Sequence, residues 1–126
     1  MKLLLDTNFL IDCIRFRIDF FHALSELEDL EGLIEVYVPL FCIKETEKLV
    51  KSKKVGEARL VLEMLKDPRI KILGAEKIGS VDTCLLGYAR EGYSVATNDK
   101  KLLNRLRKEK IRSIRIRDRR VFDIAI

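Results

Sequence analysis

The chain has 126 residues, 48% of them apolar and 36% charged, with a formal net charge of +5. That length suits one domain with a real core. The apolar runs, of which VYVPLFCI is typical, are too short to span a bilayer, and MKLLLDTN reaches Asp6 before any signal-peptide apolar region could form. An intracellular, cytoplasmic protein with no membrane partner is expected.

Residues 2–5 (KLLL) read as a short buried strand, and Thr7-Asn8 opens a helical stretch. Phe9, Leu10, Cys13 and Ile14, then Phe20, Phe21, Leu24 and Leu27, recur at helical spacing. Asp19 is positioned to begin a second helix, which Gly32 ends. Residues 34–38 alternate as a strand stopped by Pro39, and a helix carrying Glu45 follows. A helix over 55–66 closes at Asp67-Pro68, and 70–73 (IKIL) form a third strand. Ser80 is placed to cap a helix over 81–90 with Asp82 in its first turn. Residues 93–96 form a fourth strand, 99–109 a basic helix and 111–116 (IRSIRI) a fifth strand. The tail VFDIAI fits a sixth strand or a packing extension. Short strands alternating with helices predict a single α/β domain over 1–126 with a mainly parallel sheet.

Cys13, Cys42 and Cys84 are odd in number, widely spaced and set in apolar sequence, as small buried hydrophobes in a reducing compartment would be. No C-x-x-C or Cys/His pair suggests zinc. His22 is the only histidine. It sits in FFHAL and reads as a packing residue, which argues against triad chemistry.

Four acids stand at the edges of apolar segments: Asp6 in LLLDTN, Glu45 in CIKETEKL, Asp82 in SVDTCLL and Asp99 in VATNDKKL. Asp6 and Asp99 follow strands, and in a parallel sheet the chemistry lies beyond the carboxyl ends of the strands. Converging carboxylates repel unless a hard cation lies between them, which points to Mg²⁺ or Mn²⁺. In a phosphodiesterase site the metal would acidify a water and offset charge on the phosphorus. Thr7, Asn8, Thr97 and Asn98 supply neutral oxygens beside the acids. Taken singly, each acid also fits a plain helix cap, a first-turn position or a surface ion pair.

Charge is unevenly placed. Eleven Lys and Arg between Lys100 and Arg120 face only Glu109 and Asp118, so this segment is strongly positive and the remainder of the chain is net negative. A basic block on a mildly acidic body fits a polyanion binder. Lys100, Lys101, Arg105, Arg107, Lys108, Arg112, Arg115, Arg117 and Arg119 are its candidate nucleic-acid contacts. G-x-G-x-x-G and G-x-x-x-x-G-K-[ST] are absent, which disfavours dinucleotide and P-loop binding. A phospho-receiver domain shares the length and pattern, but IKIL exits to Gly74 without the acceptor Asp such a domain needs.

At LLLDTNFLI, VPLFCIKETEKL, SVDTCLL and SVATNDKKLLNRLR the sequence resembles PIN-domain nucleases, in an order that covers nearly the whole chain. KETEKL, KDPRIKIL, VDTCLL and VATNDKKL are most similar to the group acting in small-subunit ribosomal RNA processing. The resemblance implies a central parallel sheet of about five strands flanked by helices. It also implies a Mg²⁺ or Mn²⁺ site with Asp6, Glu45, Asp82 and Asp99 as catalytic and metal-holding acids, supported by Asn8 and Thr97. One departure is Thr83, where that group carries a second Asp.

The expected activity is cleavage of single-stranded RNA, with an rRNA precursor as substrate and ribosome-assembly factors as partners. The alternatives are a toxin-type ribonuclease held by an antitoxin and a catalytically weak RNA-binding assembly module. Residues 111–116 with the tail could build an edge or an interface, which suggests a homodimer.

Overall fold

Leu3, Leu4 and Leu5 are all fully buried, as a strand covered on both faces requires. In the computed structural model, which describes residues 1–53, 55–74 and 77–125, they belong to β1 (Lys2–Leu5). Asp6 ends that strand and caps α1 (Thr7–Arg15). Asp19 caps α2 (Phe20–Glu31), and Gly32, with a positive φ of 85°, ends it. There follow β2 (Glu35–Pro39), α3 (Leu40–Ser52), α4 (Ala58–Met64) and β3 (Ile70–Leu73). Ser80 caps α5 (Val81–Arg90). The chain then forms β4 (Ser94–Ala96), α6 (Lys100–Lys108) capped by Asp99, β5 (Ser113–Arg117) and β6 (Val121–Ala125).

The six strands lie in the order β3-β2-β1-β4-β5-β6. All neighbours are parallel except β5 and β6, which form an antiparallel hairpin. The strand order reverses between β1 and β4, the two strands that end in Asp6 and in Thr97-Asn98-Asp99. Their register pairs Leu5 with Ala96, so Asp6 and Thr97 leave the sheet side by side. The sheet thus has one strand beyond the five expected, supplied by the tail. Ile126 lies outside the described residues.

Helices cover both faces. Leu3 and Leu5 pack with Phe9, Leu10, Leu24, Val38 and Val61 on one side. Leu4 packs with Leu85, Leu86, Val95, Leu102 and Leu106 beneath α5 and α6 on the other. Burial of each such side chain is worth about 1.5–3 kcal/mol in transfer free energy. Phe122 of β6 docks the hairpin onto the first layer, its ring centroid 5.1 Å from Phe9 and 5.6 Å from Phe20.

Cys13 and Cys42 are buried free thiols, as expected, while Cys84 is half-buried. His22 differs from its expectation. It is exposed on α2, and its Nε2 lies 2.8 Å from Glu26 Oε1 one turn on. No described helix is long and apolar enough to cross a membrane.

Candidate active site

Asp6 is almost fully buried at the exit of β1. Its Oδ1 accepts the Asn8 backbone N–H at 3.3 Å, which caps α1, and its Oδ2 accepts the Thr97 hydroxyl at 3.1 Å. Burial pushes its carboxyl from 3.8 up to about 6, and the nearby Asp82 and Asp99 charges add to the rise, while those two hydrogen bonds oppose it. The fully buried Thr97 also accepts the Asp99 N–H at 3.2 Å, so one hydroxyl fixes the spacing of two strand exits. Asp99 caps α6, its Oδ1 accepting from Lys101 N at 2.8 Å and Leu102 N at 3.4 Å. Among the described residues its Oδ2 has no hydrogen-bond partner, and Asp99 borders an acidic cleft.

Asp82 sits in the first turn of α5. Burial and the Asp99 charge raise its carboxyl above the ordinary range, while Arg105 and Lys101 of α6 act in the opposite direction. Glu45 comes from α3 on the far wall. Its position follows from a lash between α3 and α1. The buried Thr46 hydroxyl donates to the Cys42 carbonyl at 2.8 Å and lies 3.3 Å from Thr7 Oγ1, and Thr7 donates to the same carbonyl at 3.1 Å.

Asp6, Glu45, Asp82 and Asp99 therefore border one cleft of about 190 Å³, with Thr7, Asn8, Cys42, Leu49 and Val81 completing its lining. Among the described residues no three His, Cys, Asp or Glu side chains close into a preformed metal cage. Mg²⁺ does not require one, since it is commonly held by one or two carboxylates and several waters. The donor chemistry fits such an ion: the polar lining offers hard oxygens, and the Asp6 and Asp82 carboxyls are raised chiefly by burial, with a smaller contribution from the neighbouring acids.

Two polar residues named from the sequence stand apart from this cleft. Asn98 uses both ends of its amide as a brace, donating to Asp12 Oδ2 at 2.9 Å and accepting the Ile116 N–H at 2.8 Å. Its side chain is committed to joining α1 to β5 and lines the neighbouring pocket instead. Thr83 lies outside the cleft lining, its Oγ1 2.8 Å from Ser80 Oγ at the cap of α5.

The basic block divides in two. Arg112 is paired with Glu31 at 2.7 Å, and Arg115 and Arg117 share Asp123 at 3.6 and 3.9 Å. Arg107 and Lys108 occupy the last turn of α6, where cations complement the helix dipole. Among the described residues Lys100, Lys101, Arg105 and Arg119 enter no ion pair. Lys101 and Arg105 act electrostatically on Asp82, while Lys100 and Arg119 line a second pocket with Arg115.

Three further lysines are not among the residues expected at this site. Lys44, Lys48 and Lys77 line a cleft of about 560 Å³ that shares Glu45 with the acidic one. Lys44 and Lys48, four residues apart on α3, are recognisable in KETEK as one helix face. Lys77 comes from a separate segment and gives no such signal.

The family model described as a PIN like domain matches residues 3–119. The ribonuclease VapC4 of Methanocaldococcus jannaschii is 30% identical over 128 residues, covering 98% of this chain and 95% of that protein. The solved structure of the PIN domain endonuclease Utp24 superposes with a TM-score of 0.81 at 28% identity, over 98% of this chain and 90% of that one. The match spans both strand exits and all four acids, and the chain belongs to the PIN-like domain family.

Proposed function

We propose that the protein is a divalent-metal-dependent endoribonuclease acting on single-stranded RNA. The observation that carries this reading is the meeting of Asp6 and Asp99, from adjacent strands, with Asp82 and Glu45 around one cleft, flanked by cations that enter no ion pair among the described residues. Likeness to proteins named as a ribonuclease and an endonuclease supports it.

Asp6, Asp82 and Asp99 would hold Mg²⁺ or Mn²⁺, with Glu45 facing them. Once bound, the ion supplies the charge that acidifies a water and offsets negative charge at the scissile phosphate. Thr97 and the Asn8 N–H fix the Asp6 carboxylate. The cap bonds of Asp99 fix one of its oxygens and leave the other for the cleft. Glu45, exposed on its helix at the edge of the cleft, would take a proton from the attacking water. Lys44, Lys48 and Lys77 on one side and Lys100, Lys101 and Arg105 on the other would hold backbone phosphates, giving salt-dependent binding.

The motif resemblance makes an rRNA precursor the proposed substrate. A second reading, a ribonuclease restrained by a small antitoxin, is favoured by an open groove of about 750 Å³ lined by Ile43, Leu62, Leu65, Ile70 and Ile72. Ile72 is 56% exposed on the edge strand β3.

The test is incubation of a single-stranded RNA labelled at both ends with Mg²⁺, with Mn²⁺ and with EDTA. Internal cleavage with either metal and none in EDTA is expected. Equal cleavage in EDTA would remove the metal from the proposal. RNA binding without cleavage, with both metals, would favour the assembly-module reading.

A further inference from the structure

We propose that the pocket between α1, the start of α6 and the β5–β6 hairpin receives one nucleobase of the RNA strand, next to the cleaved phosphate. This rests on the RNA-cleaving reading above and adds a subsite to it. The pocket measures about 360 Å³. Asp99 borders the acidic cleft and the next residue, Lys100, lines the pocket, so the two openings meet at the start of α6.

The lining chemistry suits a base better than a bare phosphate. Phe16, 37% exposed at the end of α1, presents a ring at the rim, and the Arg119 guanidinium lies 5.5 Å from its centroid. An aromatic ring and a planar guanidinium at one opening are the two kinds of group on which single-stranded bases stack. The carboxylates of Asp12 and Asp118 in the wall would repel a buried phosphate. Lys100 and Arg119 can meet the phosphate of the same nucleotide at the mouth.

The backbone at this rim is shaped in an unusual way. Arg17, with φ of 56°, follows the end of α1 in the left-handed conformation. The Arg17 N–H bonds to Ile14 O at 3.1 Å and the Ile18 N–H to Cys13 O at 2.8 Å, which completes a Schellman motif. Asp118 and Arg119, both at φ of 54°, form the tight turn between β5 and β6, closed by Arg120 N–H to Arg117 O at 3.1 Å. Glycine is the unstrained choice at positions of both kinds. That turn carries Arg119, whose guanidinium lies over the Phe16 ring.

The test measures kcat/KM for a set of RNAs in which one abasic nucleotide is moved stepwise past the cleavage position, using wild type, Phe16→Ala and Phe16→Leu. Stacking of a base on an aromatic side chain predicts about a tenfold loss at a single abasic position in wild type. In both variants the same abasic position should change kcat/KM less than about twofold, because the partner ring is already gone. Wild-type sensitivity that persists in both variants, or no sensitive position at all, overturns the subsite while leaving the nuclease intact. Absence of wild-type cleavage on every RNA removes the underlying function and the subsite with it. Free AMP retained by the protein in equilibrium dialysis, with no abasic effect on cleavage, would make this a mononucleotide pocket and overturn the strand subsite.

Discussion

Replacing Asp6 by Asn should stabilise the metal-free protein while removing its activity. Asp6 is buried, and its carboxyl titrates at about 6 in the folded protein against an ordinary value of 3.8. Raising a pKa by one is worth about 1.4 kcal/mol, so the ionised carboxylate costs about 3 kcal/mol of folding free energy at neutral pH. The sign follows from proton linkage. A carboxyl raised on folding binds protons more tightly in the native state, so its cost is absent below the unfolded value and grows as pH rises toward the folded one. Asn carries no charge and is isosteric. Its amide oxygen can accept the Asn8 N–H, but an NH₂ facing Thr97 takes away the acceptor of that buried hydroxyl, which offsets about 1 kcal/mol of the gain. Urea unfolding in EDTA at several pH values is the assay. The Asp6→Asn variant should exceed wild type by about 1–2 kcal/mol near pH 7.5, with the gap shrinking toward about pH 4. Millimolar Mg²⁺ should raise the wild-type midpoint and leave that of the variant unmoved. A gap independent of pH, or a variant less stable than wild type throughout, would show that Asp6 is not a desolvated carboxylate.

Other substitutions separate the parts of the site. Asp99→Asn keeps a good helix cap, so stability should change by under about 0.5 kcal/mol, while cleavage should fall at least about a hundredfold, as expected for loss of a group that stabilises charge in the transition state; denaturation and single-turnover assays check the two halves. Thr46→Val removes the hydroxyl that bonds the Cys42 carbonyl and lies against Thr7 Oγ1 of α1, and should cost about 1 kcal/mol in urea unfolding. It should also lower kcat, because Glu45 rides on the same helix. Replacing Lys44, Lys48 and Lys77 together by Ala should reduce the slope of log affinity for RNA against log salt by about 2. The Arg112, Arg115 and Arg117 triple variant should leave the slope nearly unchanged, since those cations are already paired within the protein.

Much of this was legible in the chain because local chemistry and global position agree. LLLD reads as a buried strand with an acid at its exit, and Asp6, Asp19, Ser80 and Asp99 all cap the helices they precede. The fifth strand begins later than its alternation suggested. Lys110 is left-handed, and the Ile111 N–H closes back to Leu106 O at 2.9 Å, so Ile111 is the hydrophobic contact that ends α6. IRSIRI cannot distinguish that contact from a strand's first residue. The β5–β6 hairpin was hard to read because Asp118-Arg119 stands where Asn-Gly would announce the turn. His22 looked buried from its neighbours, yet one helical step turns it away from Phe21 and Ala23 toward Glu26. The division of the basic block was invisible in principle: Arg112 is neutralised by Glu31, 81 residues away, and a charge count along the chain cannot register that pairing.

The central claim is that the four carboxylates form one metal-dependent RNA-cleaving site. It is tested most directly by comparing wild type with Asp99→Asn on the same end-labelled single-stranded RNA, in Mn²⁺, with binding measured in parallel. Metal-dependent internal cleavage by wild type, lost in a variant that still binds RNA, is the predicted result. Cleavage by Asp99→Asn at the wild-type rate would contradict it and move the chemistry away from the strand exits.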